Sequence, residues 1–289
     1  MTSSPVTFKG SYQRCQAMAR RHGTTYYWAT FALPRLVRHH VWALYAFCRY
    51  ADDIVDDLGP ASSTVRRDAL GAFGEQFFAE LSRGRSDDPV LKAVVHTVRA
   101  FAIDAECFQR FLRSMETDLS FSGFDTWDDL LRYMDGSAAV VGEMMLPILE
   151  PASEHAFPHA RDLGFAFQLT NFLRDIGEDL TRHRIYLPRE DLDRFGVDPT
   201  ARIVDDRWRA LMNFEIDRCR RLYASADLGI AQLPTRSARC VSAARILYAR
   251  ILDEIESHGY DVFTRRARVA TWRKVAVVGR VSITGRASR

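Results

Sequence analysis

Arg49-Tyr50-Ala51-Asp52-Asp53-Ile54-Val55-Asp56-Asp57 is the stretch on which the reading of this chain turns. It follows Val37, Val41, Leu44 and Phe47, apolar residues spaced three or four apart, so residues 36–57 read as one amphipathic helix. An α-helix turns about 100° per residue, which puts Asp52 and Asp56 about 40° apart on one face, and Asp53 and Asp57 likewise. Like charges one turn apart cost an isolated helix about 0.2–0.5 kcal/mol per pair. Trp42, Leu44, Tyr45 and Phe47 adjoin the run, so it is not simply a solvated charged face. A hard divalent cation reverses the sign of the repulsion, and Mg²⁺ takes carboxylate oxygens together with water and phosphate oxygens.

A second acidic pattern lies far along the chain, in Gln168-Leu169-Thr170-Asn171-Phe172-Leu173-Arg174-Asp175-Ile176-Gly177-Glu178-Asp179. Asn171, Asp175 and Asp179 repeat every four residues and cover about 80° of a helix circumference. Phe165, Phe167, Leu169, Phe172, Leu173 and Ile176 surround them. A polar stripe on an otherwise apolar helix faces a partner or a wet cavity. One such stripe has a bland explanation as an exposed helix face. Two of them, facing each other, are suited to holding Mg²⁺ around a diphosphate. Metal ions and arginines then neutralise the leaving group's charge, and the allylic cation left behind needs a dry apolar cavity. The chain has 18 Phe, 10 Tyr and 5 Trp to line one, and aromatic faces attract cations.

The remaining pattern is helical, with no β-alternation and no Gly-rich strand-to-helix turn. Helices are expected over 66–84, 90–113, from Thr126 to a stop at Pro147, and over 159–182, 205–225 and 237–257. Asp88-Pro89 and the Thr126/Asp129 pair read as helix starts. The expected fold class is all-α: roughly ten helices in one domain over residues 1–289, with a basic tail from about residue 275. Net charge is only +3, which gives no argument for nucleic acid. Cys15, Cys48, Cys107, Cys219 and Cys240 are odd in number with no CxxC spacing, so they read as free thiols rather than zinc ligands. No run approaches the roughly 20 apolar residues of a membrane span, and no signal peptide opens the chain. A cytoplasmic protein is expected. Arg265–Arg289 carries eight Lys or Arg, no Asp or Glu, and interleaved Val269, Trp272, Val275, Val277 and Val278. That tail is expected either to end in a frayed helix or to touch the inner face of an anionic membrane.

Three segments resemble the squalene and phytoene synthases: Tyr45–Arg49 leading into Asp52–Asp56, Gln168–Asp179, and Arg184-Ile185-Tyr186-Leu187-Pro188. The resemblance runs from about His22 to Lys274. It implies an isoprenoid-synthase fold, a helical bundle around a central cavity. It implies metal ligation by Asp52, Asp53 and Asp56 on one side and Asn171, Asp175 and Asp179 on the other, with Mg²⁺ as the cofactor, Mn²⁺ able to replace it, and no NADPH. Tyr45, Arg49, Arg174 and Tyr186 match catalytic positions. Thr25, Tyr133, Val141, Gln168, Tyr260 and Arg273 match substrate-binding positions, as do Arg49, Asn171, Arg174 and Tyr186. Many relatives carry Ser-Lys-Ser after the histidine; here His22 precedes Gly23-Thr24-Thr25, so a basic group from elsewhere is needed.

The reaction implied is head-to-head joining of two prenyl diphosphates through a cyclopropylcarbinyl diphosphate. The run Tyr133–Gly142 resembles bacterial phytoene synthases most closely, which implies two geranylgeranyl diphosphates and phytoene, handed on to a phytoene desaturase. Thirty-carbon products from farnesyl diphosphate (presqualene diphosphate, squalene or dehydrosqualene) stay open. A terpene cyclase motif fails because positions 175 and 179 are both Asp. A non-catalytic relative is expected to lose the acidic positions, and all are present.

Overall fold

The computed structural model describes residues 6–56, 62–270, 273, 276, 277 and 279, with the backbone alone at residues 24 and 25. Asp57, the Thr25 side chain, Trp272, Val275, Val278 and the tail from residue 280 therefore lie outside the described parts.

Helices α1 (Phe8–His22) and α2 (Thr24–Ala29) lead through a 3₁₀ turn (Thr30–Ala32) into α3 (Arg35–Asp56). Then come α4 (Ser63–Arg83), α5 (Leu91–Ala100), α6 (Ala105–Thr117) and α7 (Trp127–Met134). A π-helical turn (Asp135–Ala139) joins α7 to α8 (Val140–Leu149), followed by α9 (Ala156–Asp179) and α10 (Arg189–Phe195). The last two are α11 (Asp206–Ile230) and α12 (Thr235–Ser257). The described residues contain no strand, in agreement with the all-α expectation.

Two expected helices are broken, each for a local reason. The helix expected over 90–113 divides at Ala102, which sits at φ +49°, and Asp104 restarts it by accepting a hydrogen bond from the Glu106 N–H at 2.9 Å. The helix opened by the Thr126/Asp129 capping box does not run evenly to Pro147. It opens into the π turn, and Pro147 is accommodated inside α8. Arg110 and Arg161 both pair with Asp135 in that turn and with the buried Glu143 one turn into α8. This quartet ties α6, the π turn, α8 and α9 together. π turns are uncommon and concentrate at functional sites; this one aims Ser137, Ala138 and Val141 into the interior space.

One apolar core gathers α1, α3, α4, α5, α6 and α8 around Phe47, Phe77 and Phe108, whose ring centroids lie 4.8–4.9 Å apart. A second gathers α9, α11 and α12 around Trp208, Leu211 and Leu247. Val37 and Val41 of α3 pack against both. Between α3, α8, α9 and α12 the packing leaves a cavity. Its wall depends on α8 and α9 touching backbone to backbone: a Cβ on Gly142 would lie 2.3 Å from the Ala160 carbonyl oxygen, and one on Gly164 2.5 Å from that of Ala138. Neither carbonyl can move without unwinding a helix. Gly142→Ala is therefore expected to destabilise the protein by about 1–3 kcal/mol, read as a lower midpoint in urea.

A buried ionic cluster brackets α10 and α11. Arg218 donates to Asp191 at 2.8 Å and to both oxygens of Glu215 at 2.9 Å, with its guanidinium over the Trp127 ring. One cation thus serves two buried carboxylates. Burial, with Asp191 beside it, pushes the Glu215 carboxyl up to about 8 despite Arg218. The folded state then holds a proton that the unfolded chain releases near the ordinary glutamate value, so stability falls as pH rises across that interval. Glu215→Gln is expected to flatten this decline between pH 5 and 9 in thermal unfolding, with its largest relative gain at the alkaline end.

Candidate active site

The last three turns of α3 and the last three turns of α9 line one polar chamber of about 1220 Å³. The α3 wall contributes Tyr45, Arg49, Asp52, Asp53 and Asp56; the α9 wall contributes Gln168, Asn171, Arg174, Asp175 and Asp179. Tyr133 and Val141 enter from α7 and α8, and Tyr186 from the segment after α9. The positions expected to hold metal thus share one chamber, as their helical spacing allows.

The acidic groups are held at a high electrostatic cost. Burial, with Asp56, Asp118 and Asp53 nearby, pushes the Asp52 carboxyl up to about 7 even though Arg49 opposes the shift. Burial together with Asp175 and Glu178 pushes Asp179 up to about 7. Arginines occupy the other carboxylates. Arg49 pairs with Asp53, and Arg184 and Arg182 reach Asp56 at 3.2 and 3.4 Å. Asp175 accepts two hydrogen bonds from Arg174, at 2.8 and 2.5 Å, and two from Arg266, at 2.7 and 3.0 Å. Burial works against the charge of Asp175, but these two guanidinium groups hold its carboxyl below the ordinary range. Among the described residues the buried Asn171 Oδ1 has no hydrogen-bond partner.

This donor set fits a hard divalent cation. It offers carboxylates that repel one another and a buried amide oxygen with nothing to accept. Among the described residues no three acidic, His or Cys groups are gathered closely enough to hold a metal ion by themselves. Mg²⁺ characteristically binds one or two carboxylates and completes its shell with water and phosphate oxygens, so an open arrangement suits it.

Asp118 is a site residue that the sequence reading missed. It sits in a 3₁₀ turn after α6 and accepts a hydrogen bond from the Tyr133 hydroxyl at 2.8 Å. Burial pushes its carboxyl up to about 6, with Asp56 adding to the shift against Tyr133 and Arg184. No helical stripe marks Asp118, so spacing alone gave no signal. Arg184 lay inside a quoted motif without being singled out. Tyr26, Tyr248 and Arg266 were missed as well. Tyr248 looks like one more apolar position on α12, and Arg266 is one arginine among several.

Basic groups other than the absent lysine stand in the chamber. Arg21, Arg49, Arg266 and Arg268 all line the chamber. Gly23 matters for a separate reason: a Cβ there would lie 2.7 Å from the Tyr45 ring. Two expected substrate contacts stand elsewhere. The Tyr260 hydroxyl donates to Asn213 at 2.7 Å and its carbonyl accepts from Trp208 Nε1 at 2.9 Å. Arg273 pairs with Glu254 of α12. Neither lines the chamber. Tyr260 lies at φ +67° in the turn after α12, which directs it to the α11 side.

At its inner end the chamber meets an apolar tunnel of about 270 Å³, and Tyr26, Tyr45, Val141 and Gln168 line both. Tyr26 and Tyr248 have ring centroids 4.9 Å apart, and Phe167 lies 4.4 Å from Tyr248. Tyr186 stacks on Phe172 at 4.2 Å and 10°. The arrangement therefore suits a molecule with an anionic head, a long apolar tail and a reactive centre between them.

A family model described as squalene/phytoene synthase matches residues 19–273. A protein of Arthrospira platensis named phytoene synthase is 38% identical over 288 residues, covering 94% of this chain and 92% of its own length. A 15-cis-phytoene synthase of Synechococcus elongatus is 36% identical over 280 residues, covering 92% and 90%. A solved dehydrosqualene synthase superposes with a TM-score of 0.87 at 27% identity, covering 95% of this chain and 96% of its own. The squalene synthase HpnC from Alicyclobacillus acidocaldarius gives 0.79 at 30% identity, covering 89% and 97%.

Because Tyr260 lies outside the chamber, Tyr260→Phe is expected to leave KM and kcat for prenyl diphosphate within about twofold. Loss of its hydrogen bond should lower stability by about 0.5–1 kcal/mol. Steady-state kinetics beside thermal unfolding check both.

Proposed function

The chain belongs to the squalene/phytoene synthase family and is a prenyltransferase-type enzyme, and from that premise we propose that it joins two geranylgeranyl diphosphates head to head to give phytoene. The observation that carries the proposal is the junction itself: a chamber rich in carboxylate and arginine opens directly onto an aromatic-rimmed apolar tunnel. The relatives named phytoene synthase support the twenty-carbon substrate.

The diphosphate of one substrate enters the chamber and takes guanidinium groups from the carboxylates that now hold them, Arg49, Arg174, Arg184 and Arg266 among them. Asp52, Asp53, Asp56, Asn171, Asp175 and Asp179 would hold magnesium ions, which would supply Lewis-acid neutralisation of the leaving group's charge. The C1–O bond breaks and its electron pair leaves with the diphosphate. The allylic cation then lies beneath Tyr26, Tyr45 and Tyr248, whose ring faces attract positive charge without adding to it. The 2,3-alkene of the second substrate supplies the electrons for the new bond, and proton loss closes the cyclopropane ring. Loss of the second diphosphate opens the way to rearrangement, and a final proton loss gives the hydrocarbon. Apolar walls keep water from either cation. Tyr133 and Asp118 form a hydrogen-bonded pair at the chamber edge that is able to orient a phosphate or relay a proton.

A thirty-carbon product from farnesyl diphosphate is the second reading, favoured by the likeness to the dehydrosqualene synthase structure. Incubation with Mg²⁺ and either substrate, with and without NADPH, separates the two. Phytoene from the twenty-carbon substrate alone, independent of NADPH, is the expected result; turnover of neither substrate overturns the proposal. Asp52→Asn and Asp175→Asn are each expected to lower kcat about 100-fold or more. Asp52→Asn should not lower Tm, because burial already disfavours that carboxylate's charge. Unchanged turnover in both variants removes the metal assignment.

A further inference from the structure

The tunnel's outer wall carries a surface feature that the chemistry does not use. Tyr27, Ala29, Thr30 and Leu33 face the tunnel, whereas their neighbours Phe31 and Leu36 point outward, 41% and 76% exposed. The half-buried Trp28 stacks beside Phe31 with ring centroids 5.7 Å apart. Arg38 braces the tip. It donates to the Phe31 carbonyl at 3.2 Å and the Leu33 carbonyl at 2.7 Å, and its guanidinium lies over the Phe31 ring. The apolar tip is therefore held outward by specific contacts.

The two segments that build the tip carry charge of one sign. The chain has no Asp or Glu before Asp52, and none between Asp227 and Asp253. These two segments meet at this corner: α2 and the 3₁₀ turn pack on α12, and Cys240, Val241 and Ala244 of α12 line the tunnel opposite Thr30 and Leu33. Arg35 and Arg236 are exposed and Arg239 is half-buried. Among the described residues none of Arg35, Arg38, Arg236 and Arg239 pairs with a carboxylate. Protruding aromatic and aliphatic tips beside arginines that no described carboxylate neutralises match the chemistry of a bilayer interface. Apolar groups enter the acyl boundary while each cation near an anionic surface adds a favourable increment.

We propose that this corner, Trp28–Arg38 with the start of α12, docks the protein on an anionic lipid bilayer and brings the apolar end of the tunnel against it. The surface stands on its own geometry; its use as an exit for a hydrocarbon product rests on the proposed function. Binding and turnover can therefore fail separately.

The full chain is sedimented with vesicles of phosphatidylcholine alone and of phosphatidylcholine with one quarter phosphatidylglycerol. The wild type is expected to bind the anionic vesicles, more weakly at high salt. Leu36→Glu should weaken partitioning by about tenfold or more, and Arg35→Gln with Arg236→Gln by about fivefold per charge removed. Val65→Glu, at a comparably exposed apolar position on α4, should change nothing. All variants keep the basic C-terminal tail, so the differences read the corner alone. Turnover in detergent micelles should stay within about twofold for each variant, which shows that it is folded. Equal sedimentation of wild type and Leu36→Glu overturns the proposal. So does equal binding to both vesicle types, or light scattering that finds a wild-type dimer dissolved by Leu36→Glu, since the corner would then cover a second copy.

Discussion

Acidic groups from α3 and α9, set into apolar helices around one chamber, are the constraint on which the rest of the architecture depends. Carboxylates in such surroundings favour protonation, as Asp52 and Asp179 show. Their charge becomes affordable only when countercharge is supplied. Arginines supply it here from several directions: Arg49 on the same helix, Arg174 beside Asp175, Arg182 and Arg184 after α9, and Arg266 from the segment after α12. Each of these guanidinium groups also has the fork geometry that suits a phosphate. Under the proposed function, a chamber that holds guanidinium groups on its own carboxylates exchanges them for a diphosphate, and the apolar tunnel beyond it keeps water from the cation left behind.

The tunnel exists because helices approach too closely on one side and are held apart on the other. Gly142 and Gly164 let α9 meet α8 and the π turn at backbone distance, and both glycines line the tunnel beside that contact. The π turn before α8 shifts the register of the wall, and the Arg110–Asp135–Glu143–Arg161 quartet keeps that turn in place. A buried ionic group of this kind adds little net stability, because desolvation offsets most of the attraction. Its effect is geometric, fixing which residues of the turn face inward.

The two ends of the cavity differ in chemistry, and this gives the molecule a direction. One end is lined by carboxylates and arginines. The apolar end lies under the corner at Phe31 and Leu36, where among the described residues Arg35, Arg38, Arg236 and Arg239 have no carboxylate partner. No helix among the described residues is long and apolar enough to cross a membrane. Contact with a lipid surface through that corner therefore needs only the side chains already on display.

The helical class, the capping box at Thr126 and the two acidic stripes were legible in the sequence, because each follows from spacing along single helices, and the family was legible from the resemblance of its motifs. So was the grouping of Asp52 with Asp56 and of Asn171 with Asp175 and Asp179. Tertiary structure alone decided what no single helix encodes. Asp118 enters the chamber because a 3₁₀ turn after α6 lies across from Asp56, and Arg266 because the chain returns to α9 after α12. Tyr260 and Arg273 stand outside because a left-handed turn and Glu254 hold them elsewhere. The exposed corner at Leu36 read as one more apolar position on an amphipathic helix. Periodicity reports which residues share a face of their own helix; which faces meet, and which are left to solvent, depends on how all the helices pack.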